Sequence, residues 1–226
     1  MSFLPKLEEF DADGAIREYA EKVDAATRGS FLRKAGVGAG AVLGGGALVG
    51  GLPSIATAGA RVGNSGRVSK SDVAILNYAL TLEYLEAAFY TEAVAKGRFK
   101  GDLGEFARIV KAHEVAHVAA LKSALGSAAV MKPNFDFKGT TTSAAKFKAT
   151  AQALEDTGVA AYLGQIGRIK SPQVLAAAGS ILPIEARHAG WIRQINGARG
   201  APKAFEAGKS MQQVLAVVKG TGFIAG

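Results

Sequence analysis

The sequence predicts an all-α protein: a four-helix bundle with one long crossover between helices two and three, plus a short C-terminal helix. Three observations point there. Apolar residues recur at helical spacing from Ser71 onward, with no run of alternating β-branched residues that would make a strand. Capping residues and glycines divide this region into four long segments. The connections between the segments are unequal, two short and one long.

The first helix begins at Ser71, a good N-cap, with Asp72 in the first turn where the dipole favours an acid. It runs to about Lys96 and stops at Gly97. The second covers roughly Asp102 to Leu125 and stops at Gly126. The third follows the Thr-rich Thr140–Ser143 and reaches about Lys170. The fourth opens with Ser171-Pro172, an N-cap followed by proline at the first helical position, and ends near Asn196-Gly197. Pro183 should kink it. A fifth helix spans roughly Ser210–Lys219; its Val214, Leu215, Val217 and Val218 form an apolar patch that calls for the bundle or a partner.

Loop lengths then set the topology. Short links make helices one and two, and helices three and four, antiparallel hairpins. The stretch Ser127–Thr142 is long enough to return along the bundle. A 24-residue helix is about 36 Å long, and sixteen extended residues reach about 50 Å. Phe135 and Phe137 should seat this crossover against the bundle.

The 226 residues carry no cysteine, which excludes disulfides, thiolate metal sites and a cysteine nucleophile. The formal charge of +8 is uneven. Residues 1–26 are net acidic, whereas from Arg61 onward 21 Lys and Arg face 12 Asp and Glu. These bases are spread thinly, with no basic run and no aromatic stacking pattern, so a solvated basic surface is expected rather than a nucleic-acid interface.

Residues 1–60 form an N-terminal extension ahead of a bundle domain at 61–226. Thr27-Arg28-Gly29-Ser30-Phe31-Leu32-Arg33-Lys34 precedes 26 uncharged, Gly- and Ala-rich residues ending in Ala56-Thr57-Ala58-Gly59-Ala60. Positive charge, a mild apolar stretch and Ala-x-Ala is the order of an export signal. The stretch resembles a twin-arginine signal, although Gly29 stands where the second arginine of the pair would be. An exported protein is therefore expected, in the periplasm, cell wall or outside the cell. An uncleaved segment would instead anchor it to the membrane, and a soluble Gly-rich linker is the third reading.

The chemistry lies in acids on apolar helix faces. Helix one carries Glu83, helix two Glu114 and His117, helix three Glu155, and helix four Glu185 and His188. Each hairpin thus repeats one Glu followed by Glu-x-x-His. Residues three apart share a helix face, so each Glu-x-x-His converges. Glu83 lies in a stripe with Leu76, Leu80, Ala87 and Tyr90, and Glu155 keeps company with Ala151, Leu154 and Tyr162. Four carboxylates in one core repel one another and are costly unless neutralised. Two divalent cations neutralise four carboxylates, and two imidazoles complete the set. This is the known ligand pattern of two-metal carboxylate bundles. Imidazole and carboxylate with open positions suit iron; manganese or a mixed pair fits the same donors.

Tyr90 and Tyr162 each follow a lone acid by two turns. They could hydrogen-bond a ligand, pass an electron, or simply be core tyrosines. Glu86 lies about 60° off the Glu83 direction; it could be an extra ligand, an acid supporting a ligand or a flank residue, and the flank is favoured. His113 reads as a flank residue or as a partner of a ligand, and Asp102 and Asp156 as surface or capping acids.

Residues 72–196 resemble the ferritin-like superfamily. Within it, Ala79-Leu80-Thr81-Leu82-Glu83-Tyr84-Leu85-Glu86-Ala87-Ala88-Phe89-Tyr90 and Leu154-Glu155-Asp156-Thr157-Gly158 are similar to a bacterial, often exported group akin to desiccation-related proteins. The resemblance implies that Glu114 and Glu185 bridge two metals, that Glu83 and Glu155 each cap one, and that His117 and His188 are terminal. It implies oxygen or peroxide chemistry at iron, as in a ferroxidase or oxidase, and a homo-oligomer. It equally admits a structural, stress-protective protein without turnover. His113-Glu114-Val115-Ala116-His117 also matches the His-Glu-x-x-His of zinc proteases. That reading leaves Glu83, Glu155, Glu185 and His188 without a role.

Overall fold

The computed structural model describes residues 68–225. The expected export segment, anchor and domain boundary at residue 61 lie outside the described residues. Five α-helices are present among those described: α1 Lys70–Lys96, α2 Gly101–Leu125, α3 Ala144–Ile166, α4 Pro172–Ile195 and α5 Met211–Thr221. Two-residue strands β1 (Asn134–Phe135) and β2 (Ile224–Ala225) complete the order. No helix among the described residues is long and apolar enough to cross a membrane.

The caps explain most boundaries. Ser69, rather than Ser71, caps α1, its hydroxyl accepting from the Asp72 N–H at 3.1 Å. Ser143 caps α3, Ser171 caps α4 with proline following, and Ser210 caps α5 in a capping box with Gln213. The third helix ends at Ile166, short of the expected Lys170. The reason is tertiary. The buried Asp72 carboxylate accepts from the Lys170 and Ser171 N–H groups at 3.0 and 2.9 Å, which pulls both residues into the α3–α4 turn. Helix α4 runs on through the exposed Pro183.

The long crossover follows α1. Asn77 holds its start, donating to Ala128 O and accepting from Val130 N–H, both at 2.9 Å. Near its end Thr141 donates to Glu92 at 2.6 Å. These anchors lie about four turns apart on α1, so the crossover climbs the bundle and α3 starts at the far end. Phe137 is buried against Phe89 and Phe223. The sequence pattern contains no strand, yet β1 and β2 pair antiparallel, Asn134 with Ala225 and Phe135 with Ile224. Gly222, at φ 63°, turns the chain out of α5 into that pairing. Such a contact between distant segments has no local periodicity to reveal it. Helix α5 packs its Val214 and Val218 into the bundle core and leaves Leu215 and Val217 exposed.

Two apolar clusters fill the bundle ends. One is aromatic, built on Phe89, Tyr90, Phe106 and Phe147. The other is mainly aliphatic, with Leu76, Leu80, Leu121 and Ile181. Between them lies a layer of buried acids and histidines.

Candidate metal centre

All six residues expected to hold metal meet in that layer. Glu114, Glu155 and Glu185 are 0% exposed, Glu83 1%, His188 3% and His117 8%. Their donor atoms fall into two groups, Glu83–Glu114–His117–Glu185 and Glu114–Glu155–Glu185–His188, with atoms within 4.8 Å of one another in each. Glu114 and Glu185 belong to both. The Glu114 carboxylate shows why: Oε2 lies 3.2 Å from His117 Nδ1 while Oε1 lies 3.2 Å from His188 Nδ1. His117 Nδ1 is also 3.2 Å from Glu83 Oε2 and 3.1 Å from Glu185 Oε1. His188 Nδ1 is 3.3 Å from Glu155 Oε2.

The arrangement follows from an internal two-fold repeat. Glu83 and Tyr90 on α1 correspond to Glu155 and Tyr162 on α3, 72 residues later. Glu114 and His117 on α2 correspond to Glu185 and His188 on α4, 71 residues later. Each tyrosine serves the opposite half. Tyr162 donates to Glu83 Oε1 at 2.5 Å, and Tyr90 donates to Glu155 Oε1. The two hydroxyls are therefore hydrogen-bonded to the lone acids of the opposite hairpin, across the bundle.

Several polar atoms here have no hydrogen-bond partner: Glu114 Oε1, Glu155 Oε2, both oxygens of Glu185 and His188 Nδ1. Orphaned buried acceptors are costly. Five converging on one place are the signature of donors arranged for a cation. Neighbouring donors 3.1–3.3 Å apart suit a metal about 2.1 Å from each. The residues present therefore fit metal ions.

Protons do the neutralising when no cation is bound. Burial, then the charges of Glu185 and Glu83, push Glu114 well above the carboxylate range. Burial and Glu83 raise Glu185 to about 7. Burial opposes charge on His117, but the close carboxylates of Glu114, Glu185 and Glu83 override it and raise its pKa to about 12. His188 is raised too: burial opposes this, and Glu155 outweighs it. Burial would raise Glu83; its bonds to His117 and from Tyr162 bring it below the usual value.

Two residues outside the expected six belong here. Glu86 is not a flank residue: it is 4% exposed, and burial with the charges of Glu155 and Glu185 pushes its pKa well up. Its counterpart in the repeat is Gly158, where a Cβ would lie 3.5 Å from Glu86 Oε1. A glycine opposite an acid at matched positions was the available signal. His113 is exposed, and its Nδ1 lies 2.8 Å from His188 Nε2 with the rings stacked. It can accept a proton-bearing Nε2–H and so leave His188 Nδ1 free as a ligand. His113 joins neither donor group, so the two histidines of the protease-like motif do not face one ion. Asp156 pairs with Arg193 at 2.7 Å, and Asp102 is exposed.

Fold and site together define a helical bundle whose core presents a carboxylate–histidine cluster able to hold metal ions. The ferritin-like domain family matches residues 71–198, and the chain belongs to it. Among solved structures, a hypothetical protein of Methanococcus jannaschii DSM 2661 is similar at a TM-score of 0.52 and 12% identity, over 70% of this chain and 98% of that one. That likeness concerns the fold. Among curated proteins no relative matches the chain.

Proposed function

We propose that this protein is a di-iron carboxylate protein that reacts with dioxygen or peroxide, in the manner of a ferroxidase or oxidase. The observation that carries the proposal is the membership of Glu114 and Glu185 in both donor groups, as bridging ligands of two ions require. Two ferrous ions held there would supply the two electrons that, with two protons, reduce one hydrogen peroxide to two waters. The chain's own contribution is positional. Glu83 with His117, and Glu155 with His188, would complete the two ends. Tyr162 and Tyr90 orient the lone acids through their hydroxyls, and His113 orients His188. Burial of all four carboxylates keeps bulk water from competing for the donors. Manganese or a mixed pair would satisfy the same ligands.

The test is anaerobic loading with ferrous ion followed by rapid mixing with peroxide or air. One peroxide consumed per two irons, faster than by free ferrous ion, supports the proposal. Oxidation no faster than in buffer refutes turnover and leaves a structural role. Export through residues 1–60 belongs to the same reading, and recovery of the full-length chain only in the cytoplasmic fraction would count against it. So does self-assembly, which light scattering would test.

A further inference from the structure

The two ends of the centre are walled differently. Beyond Tyr90, the rings of Phe106 and Phe147 meet it edge-on at 5.8 and 5.9 Å and close the core. The internal repeat puts Ala177 and Ile75 at the matching positions beside Tyr162. Both side chains are smaller. A cavity of about 20 Å³ opens on that side, with Ile75, Leu76, Leu82, Leu121 and Ala178 in its wall and Tyr162 also in its lining.

The cavity joins the surface to the centre. At its inner end the Tyr162 hydroxyl bonds Glu83, Leu82 precedes Glu83, and Leu121 lies one turn beyond His117. It therefore borders the Glu83–His117 end. Ile169, on the α3–α4 turn, is the one lining residue that is partly exposed, and it marks the outer end. Ile169 follows Tyr162 by seven residues, about 10 Å at helical rise. Asp72 pins this turn through the Lys170 and Ser171 N–H groups, so the mouth is fixed by the fold.

Its wall is almost wholly apolar. Tyr78 and Gln165 belong to the lining, but their polar atoms are buried and offer it no exposed surface. Water needs two to four polar partners to stay in such a space, whereas dry apolar cavities admit apolar molecules. The volume suits about one very small molecule.

We propose that this cavity takes up dioxygen and delivers it to the Glu83–His117 end of the centre. Dioxygen is diatomic and apolar, so it gains by leaving water for such a wall. Hydrogen peroxide would strand its hydrogen bonds there and must reach the centre by another path. The identity of the gas rests on the oxygen-reacting function proposed above for the same centre.

Two experiments test the cavity and its use separately. In the metal-free full chain, dissolved dioxygen under pressure is a paramagnetic probe that speeds the relaxation of nearby methyl protons. Methyls of Ile75, Leu76, Leu121 and Ala178 are expected to relax severalfold faster with the gas than the equally buried methyls of Val110, Ala151 and Ile192 at the aromatic end. Ala178→Leu should fill the space and abolish that contrast. Equal enhancement at both ends of the wild type, which needs no variant to fold, overturns the proposal. In ferrous-loaded protein, Ala178→Leu is expected to slow oxidation by dioxygen severalfold, at unchanged iron content, with oxidation by peroxide at the wild-type rate. Wild-type rates with dioxygen, or equal slowing with both oxidants, would overturn delivery through the cavity and leave the di-iron reading intact. Failure of the wild type to hold iron would sink the di-iron reading, and the relaxation contrast would still decide whether the cavity takes up the gas.

Discussion

Gly158 offers a way to move the centre without touching a ligand. A Cβ built there would lie 3.1 Å from Glu185 Oε2, where ordinary contact begins at 3.4 Å, so the carboxylate must retreat by about 0.3 Å. Metal sites tolerate only about ±0.2 Å in ligand distance. Glu185 is shared by both donor groups, so the shift reaches both. Gly158→Ala should therefore weaken metal binding by about 10- to 100-fold, the range seen when groups supporting a ligand are disturbed. Helix propensity acts in the opposite direction on the fold, since alanine is favoured over glycine by about 1 kcal/mol inside a helix. Gly179 on α4 provides the control, because a Cβ there meets nothing within 4 Å. Gly179→Ala should raise the melting temperature of the metal-free protein by about 2–4 °C and leave metal affinity alone. The assay pairs calorimetric metal titration with thermal unfolding of both variants. Wild-type affinity in a folded Gly158→Ala protein would refute the argument that this gap sets the position of Glu185.

Glu114→Ala should abolish binding of at least one ion, because its two oxygens face different histidines; a variant holding both ions at wild-type affinity would contradict the shared role. Metal affinity should rise with pH. Cations must displace the protons that burial and neighbouring charge keep on Glu114, on Glu185 with its pKa near 7, and on His117 with its pKa near 12, and ligand protonation competes directly with binding. Titrations in buffers of different ionisation enthalpy measure the protons released, and a pH-independent affinity would count against a centre neutralised by protons. Asp72→Ala should lower the melting temperature by stranding the Lys170 and Ser171 N–H groups. Burial alone would raise the Asp72 pKa, but those two bonds and the Ser69 hydroxyl hold it below 3.8. Its contribution is thus present above that pH and lost as pH falls through the folded value, so unfolding curves of variant and wild type should converge in strong acid.

The bundle and its ligands were legible because both are periodic. Helical spacing places Glu83 and Glu155 in apolar stripes, and each Glu-x-x-His sits on one face. What sequence reading misplaced depends on contacts between segments far apart. Asp72 shortens α3 from about a hundred residues away, and β1 pairs with β2 across a similar distance. Helical angle alone puts Glu86 off the ligand stripe; its burial follows from the packing of α1 against the other helices, with Gly158 of α3 among its neighbours. The cross-bundle pairing of Tyr90 with Glu155 and Tyr162 with Glu83 likewise follows from hairpin packing rather than from either helix.

The most direct test of the account is the metal content of the purified full-length chain after anaerobic loading with ferrous ion and removal of excess, read by mass spectrometry. The account predicts close to two irons per chain, falling when Glu114 or Glu185 is replaced by alanine. A folded chain that retains no metal under any loading would contradict it, and the buried carboxylates would then be neutralised by protons alone.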